Sequence, residues 1–508
     1  MEWCNQKKYN ISKIPFLLIC GSIGLIISCI ILSFIMKSNL INYGLLLIVG
    51  INVFIISLRI SDKSLIACIF VSSLLATFFT DMFNIPSLIN YIPDVLILVL
   101  LIRLLYKFCI ERTKISKIYI YLLILSITLN ILTYCMYRYN FFSFLWGIRN
   151  DYRFLIFFLG CASLSINIKY IKKIMWSLCI FSVLQIPIII LETKLYPGNF
   201  DSYSGTFASS GTGLLLLFMM LIFSYKLSAY LYKRNNLLSI LFYTIVVLTP
   251  AVIGDLKAMY IFLPITAMFI IFSSGKVNLK KIILILFLSA IIIGGYNLYD
   301  NIFTKDNNIP KLNITNLHDV LQETYYSHYD LLFSLNRLSA PVYINNTILN
   351  TNLKKLLGIG IGDGSPSKNA ILQSQFYINN AYLKYYFFFF PYYLLENGYL
   401  GLGIYALFLF YIFKCCKTTE SMSEDLDVKI LCLAMRGWII ALVLSSIYNN
   451  ALSSDQIGYL FWGLSGLILN ISRNYTKVEK KKVISIISEN PQSPIKMLAN
   501  NYSSDQKI

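Results

Sequence analysis

Charge is scarce in this chain. Only 13% of its 508 residues are charged against 57% hydrophobic, so too little polar surface exists to cover the core it would bury, and a soluble globule is excluded. Histidine is scarcer still, with His318 and His328 the only two. No Cys or His spacing suits zinc, and no metal or other cofactor is expected. Eleven cysteines are present, but the long polar segment near residue 340 has none, which argues against a disulfide framework. Adjacent Cys415 and Cys416 sit at a helix end as an inert pair or an acylation site. A strand-turn-helix nucleotide fold is excluded too, because the glycines of "KKLLGIGIGDG" do not open a helix after a strand.

What the chain has in abundance is apolar runs of about 20 residues, each long enough to cross a hydrocarbon layer of about 30 Å. They predict an all-α polytopic integral membrane protein with about 14 transmembrane helices. These are expected near 14–36, 40–58, 64–80, 90–107, 118–137, 152–167 and 174–191, then 210–226, 237–253, 257–274, 281–298, 396–414, 429–447 and 457–472. The first run is too long for a signal-peptide core and reads as a retained span. The pair flanking "IGDLKAM" has the pattern that a re-entrant turn would also show.

The formal charge of +19 would suggest nucleic acid if the basic residues formed one patch. They occupy alternate turns instead, among them Arg59 and Lys63, Lys107 to Lys117, Lys169 to Lys173, Lys226 to Arg234, Lys276 to Lys281, and Lys414 with Lys417. That alternation is the signature of cytoplasmic loops, so the charge records topology and no nucleic acid partner is expected. Both termini then lie inside. The chain divides into eleven spans over 1–298, a large outer loop over 299–384, three spans over 385–474 and a partly disordered cytoplasmic tail over 475–508. Within the loop, "HDVLQETYYSHYDLLFSLNRL" spaces its apolar residues as an interfacial amphipathic helix does.

Several residues on the outer side carry possible chemistry. Arg149 and Arg153 stand four apart in "WGIRNDYRFLIFF", at the expected entrance to a span, where one helix face would present both guanidinia to phosphate oxygens. Snorkelling beside Asp151 would equally place them there. Lys257 shares a tight turn with Asp255, as a local pair or as a further cation for a diphosphate. Arg337 reaches in from the outer loop, and His328 is a base or an interfacial polar residue. Glu396 opens "ENGYLGLGIY" as a helix cap favoured by the helix dipole, or as a base. Arg436 lies about two turns inside a span from its inner end, and it needs an Asp, Glu or carbonyl partner on a neighbouring helix.

The ordered set "SGTFASSGTGLLLL", "GDLKAMYIFL", "KKLLGIGIGDG" and "ENGYLGLGIY" resembles the O-antigen polymerase and O-antigen ligase group of bacterial surface-polysaccharide membrane proteins. The match covers most of the second half. Phe387 stands eleven residues before Gly398, where ligases carry histidine, and Lys257 replaces a usual arginine; both departures favour a polymerase. The resemblance implies a nucleotide-independent membrane glycosyltransferase of a bacterial cytoplasmic (inner) membrane that polymerises lipid-linked oligosaccharide repeat units. A sugar hydroxyl of one polyprenyl-diphosphate-linked saccharide would displace the lipid diphosphate of another on the outer face. Arg149, Arg153, Lys257 and Arg337 would hold that diphosphate, with Glu396 or His328 as base. Implied partners are the lipid-linked oligosaccharide, the bilayer, and a chain-length regulator and flippase of the same pathway. A ligase is the nearer alternative, and a lipid-linked oligosaccharide flippase a more distant one.

The charge alternation fixes the side of the long loop. A cysteine placed at His328 is expected to react with a membrane-impermeant maleimide in intact cells, and labelling only after permeabilisation would invert the topology.

Overall fold

The computed structural model describes residues 50–489 apart from 84, 86, 111–115, 165, 199–202, 208–210, 255, 276–277 and 304–334. The expected first span, Asp255, His318, His328 and most of the amphipathic stretch lie outside the described residues. Described residues are 84% helical and contain no strand. The helices are α1 (Gly50–Arg59), α2 (Asp62–Phe83), α3 (Ile92–Cys109), α4 (Lys117–Tyr137), α5 (Phe141–Ser163), α6 (Ile168–Leu195) and α7 (Thr212–Leu231). They continue as α8 (Leu237–Ile253), α9 (Met259–Ser273), α10 (Leu279–Phe303), α11 (Phe389–Met422), α12 (Leu426–Tyr448) and α13 (Asp455–Glu489). Seven helices among the described residues are long and apolar enough to cross a membrane, and α1, α8 and α9 are shorter apolar helices. This is an all-α, membrane-embedded protein.

The core forms where helices are apolar all round. In α7, every side chain from Leu215 to Phe223 has zero exposure. Helix α12 is enclosed to the same degree, and the two are tied by the Trp438 indole N–H, which donates to the Leu217 carbonyl at 2.8 Å. Helices α4 and α10 lie at the rim and expose Ile124, Leu125, Ile283 and Leu286. In water that rim would be a liability; against lipid it is ordinary.

Helices α3 and α5 each carry three or more ionisable residues within one span length. Nearly all of these are paired across helices. Asp62 at the start of α2 binds Arg103 at 2.6 Å and Lys107 at 2.8 Å. At the same, basic end of the bundle, Arg436 meets Glu420 at 2.5 Å, and Tyr232 donates to the other carboxylate oxygen at 2.6 Å. The acidic partner expected for Arg436 is therefore the last-turn glutamate of α11.

The opposite end carries a cap. Residues 335–388 fold as short helical pieces, including Ser339–Tyr343, Asn352–Leu357 and Gln375–Asn380. These enclose a second small core of Leu335, Ile344, Leu349, Ile359, Leu383 and Tyr385 against Leu394 and Leu395 of α11. Helix α5 begins at Phe141, eleven residues ahead of the expected span, and is capped by Asn140, whose side chain accepts from the Phe142 amide. The polar stretch around Arg149 looked like a span entrance, but it stays helical because its charges find partners. The extra turns reach the cap, where the Tyr139 hydroxyl donates to the Ile361 carbonyl and the Trp146 indole to that of Pro366.

Breaking the Arg436–Glu420 pair on one side leaves a buried charge, which costs about 3–5 kcal/mol. Arg436→Met should lower the melting temperature in detergent, and adding Glu420→Gln should recover most of the loss.

Candidate functional site

Helix α11 is two helices joined at Gly398, whose backbone (φ 61°, ψ −169°) is a conformation that only glycine adopts without strain. The break frees the carbonyls of Leu395 and Glu396 from the helix ladder. They accept instead from the amides of Ile359 at 2.9 Å and Gly360 at 3.0 Å. The Glu396 carboxylate completes the junction by accepting from the Gly364 amide and the Ser365 hydroxyl, both at 3.0 Å. Ser365 in turn lies 2.6 Å from the Tyr392 hydroxyl. Thus "GIGIGDG" and "ENG" form one docking joint. Its tolerance is small: a Cβ on Gly362 (φ +83°) would lie 1.9 Å from the Ser143 carbonyl oxygen.

Glu396 is accordingly 1% exposed. It does not cap the first turn of α11, which begins at Phe389, and its carboxylate holds the cap. Asp363, beside it in the loop, is held up at about 6 by burial, while Ser374 pulls the other way.

The "SGTF" turn is fixed in a similar manner. Gln185 of α6 accepts from the Thr206 amide at 2.9 Å and from its hydroxyl at 3.2 Å, and Glu192 accepts from the Gly205 amide at 2.8 Å. Phe207 packs between Phe181 and Phe218. Gly254 of "GDLKAM" lies against Tyr203, and Gly213 against Asn449, whose carbonyl accepts from Phe389 at the start of α11. All four stretches of the resemblance therefore lie at the cap end, in two contacting pairs.

Beside them is a four-charge cluster. Arg153 binds Asp455 of α13 at 2.5 Å and Asp94 of α3 at 3.5 Å, and Arg149 pairs with Asp94. Two arginines meet two aspartates, so the pair is not a bare phosphate clamp. The members differ in access: the Arg153 side chain is 8% exposed and that of Arg149 26%. The open guanidinium lies 5.1 Å from the Tyr91 ring centre and 4.7 Å from that of Trp146. A cation between aromatic faces at a water-accessible edge can bind an anion and stack a sugar ring.

The other expected cations are not brought into this cluster. Arg337 lies over the Tyr448 ring at 4.4 Å and donates to the Tyr448 carbonyl at 3.4 Å. Lys257 is in the turn ahead of α9, on which Phe262 meets Tyr448 at 6.0 Å. Arg337 and Arg153 thus flank the two ends of the short α12–α13 connection. His328 is outside the described residues, and no cluster of metal-ligating side chains occurs among those described. Sequence reasoning missed Asp94, Asp455, Gln185 and Glu192. An acid in the first turn of an apolar run, opposite helix-borne arginines, was the available signal for the first two.

Comparison with protein-family models and with curated proteins finds no match.

The raised Asp363 carboxyl gives a sign for pH. Its folded form disfavours ionisation, so docking is strongest in acid and weakens as pH rises through about 6. Amide exchange over residues 358–365, corrected for intrinsic rates, should be faster near pH 7 than near pH 5, and Asp363→Asn should remove the difference.

Proposed function

We propose that this chain is a membrane glycosyltransferase that polymerises lipid-linked oligosaccharide repeat units of a bacterial surface polysaccharide. What supports the reading is the gathering of four stretches, distant in sequence, at the single end of the bundle that also carries Arg149 between its aromatic rings. In this reading that end faces outward from the cytoplasmic membrane. Helices α1 to α13 take the second to the fourteenth of the expected spans, and the cap belongs to the expected outer loop.

The acceptor's sugar hydroxyl attacks the anomeric carbon of the donor chain, and the bond from that carbon to the diphosphate oxygen breaks. The electron pair leaves on the diphosphate, and the hydroxyl proton passes to a base or to water. Arg149 stabilises the negative charge as it develops. Arg153, enclosed by Asp94 and Asp455, positions Arg149 and Asp94 and does not touch the substrate. Glu396 is assigned to holding the cap and not to proton transfer, because a side chain 1% exposed and engaged by Gly364 and Ser365 cannot reach a sugar.

The test is reconstitution into liposomes with a polyprenyl-diphosphate-linked repeat unit. Lengthening of glycan on the same carrier is expected. Transfer to a different lipid acceptor would make the protein a ligase, and movement across the bilayer without bond formation would make it a flippase. Arg149→Ala should reduce chain growth by about a hundredfold or more with an unchanged melting temperature. Full activity in that variant would remove Arg149 from the site.

A further inference from the structure

At the cap end, Glu192, Glu396 and Asp151 have no ion-pair partner among the described residues. The first two are satisfied by backbone amides, those of Gly205 and Gly364. Asp151 is not. Among the described residues, no hydrogen bond or ion pair reaches its carboxylate, and its helix neighbours Arg149 and Arg153 turn away to Asp94 and Asp455. An unneutralised carboxylate inside a helix bundle costs several kcal/mol, so a group in this position calls for an occupant.

The space for one is present. Asp151 lines a cavity of about 30 Å³ bounded by α4, α5, α11, α13 and the connection ahead of α13. The lining includes the hydroxyl-bearing residues Ser126, Tyr152, Tyr393, Tyr405 and Ser453; the Ser126 and Tyr152 hydroxyls lie 2.8 Å apart and bond each other, whereas the Tyr405 hydroxyl is buried without a hydrogen-bond partner. The remaining wall is apolar, including Phe154, Phe408 and Trp462. This volume holds one water or one small ion and excludes a sugar, a phosphate or a lipid tail. One negative charge, neutral oxygen donors and single-ion size together define a cation site. The cavity also spans the break in α11, with Phe389 and Tyr393 from one segment and Ile404, Tyr405 and Phe408 from the other.

We propose that this cavity is a binding site for one sodium ion, with Asp151 supplying the charge and Tyr405 and Ser453 neutral oxygens, placed to join the two halves of α11. The proposal is independent of the reading as a glycosyltransferase.

The experiment compares thermal unfolding of the purified full chain in sodium chloride and in choline chloride at matched ionic strength. Sodium is expected to raise the midpoint saturably. Asp151→Asn should melt higher than the parent in choline chloride, because the unpaired charge is gone, and should show no response to sodium. Tyr405→Phe and Ser453→Ala keep the charge and should shift the sodium titration to higher concentration; they serve as the readout if Asp151→Asn cannot be purified. Equal midpoints in the two salts would overturn the proposal. So would a sodium effect that survives Asp151→Asn, or a midpoint that follows pH and ignores sodium, which would make the occupant a proton.

Discussion

A helix inside a membrane cannot be broken without providing for the carbonyls it releases, since hydrocarbon supplies no water to replace the lost bonds. The break at Gly398 imposes that requirement on Leu395 and Glu396, and the amides of Ile359 and Gly360 meet it. Much of the cap end follows. The loop must come close enough for backbone to bond backbone, so Gly358 and Gly362 accept no side chain, and α5 must start early enough to bring Trp146, and Tyr139 just ahead of it, to the cap. The extension carries Arg149 to the level of the first turns of α3 and α13, where Asp94 and Asp455 wait. A backbone constraint on one helix thus positions the charges on another.

The same constraint alters the meaning of the glycine-rich stretch. A run such as "GIGIGDG" can be read as a cradle that brings amides to a phosphate, but here two of its amides are engaged by carbonyls of α11 and a third by Glu396. Its glycines serve protein against protein. The Gly-Thr-Phe turn tells a parallel story, with its amides and hydroxyl taken by Gln185 and Glu192. The amides of these two stretches are therefore fixtures, and Arg149, whose side chain is partly exposed, belongs to none of the four stretches.

How much of this was legible beforehand depends on whether a feature is local. Apolar run length marks a span by itself, and each described long helix overlaps an expected one. Arg436 announced its need for an acid because depth alone makes an unpaired guanidinium expensive, although the sequence could not choose Glu420 among the acids available. The start of α5 was misplaced because hydropathy treats Arg149, Asp151 and Arg153 as the end of the membrane, whereas partners on α3 and α13 let the helix continue through them. Glu396 looked like an N-terminal cap since it precedes the apolar run. The preceding turn, from Phe389, is helical only in the company of the cap's core, which composition does not reveal.

Charge is allocated differently at the two ends. At the basic end, acids answer cations: Asp62 takes Arg103 and Lys107, Asp427 takes Lys172, and Glu420 takes Arg436. At the cap end Asp94 and Asp455 do so, while Glu192 and Glu396 bind backbone amides and Asp151 lines a small cavity. An ion pair constrains two side chains; a carboxylate bonded to successive amides constrains the path of a loop. The first kind of contact suits an end that only has to hold helices together. The second suits an end where loops must be held in one shape, and it explains why Glu192 and Glu396 are enclosed and bonded to glycine amides.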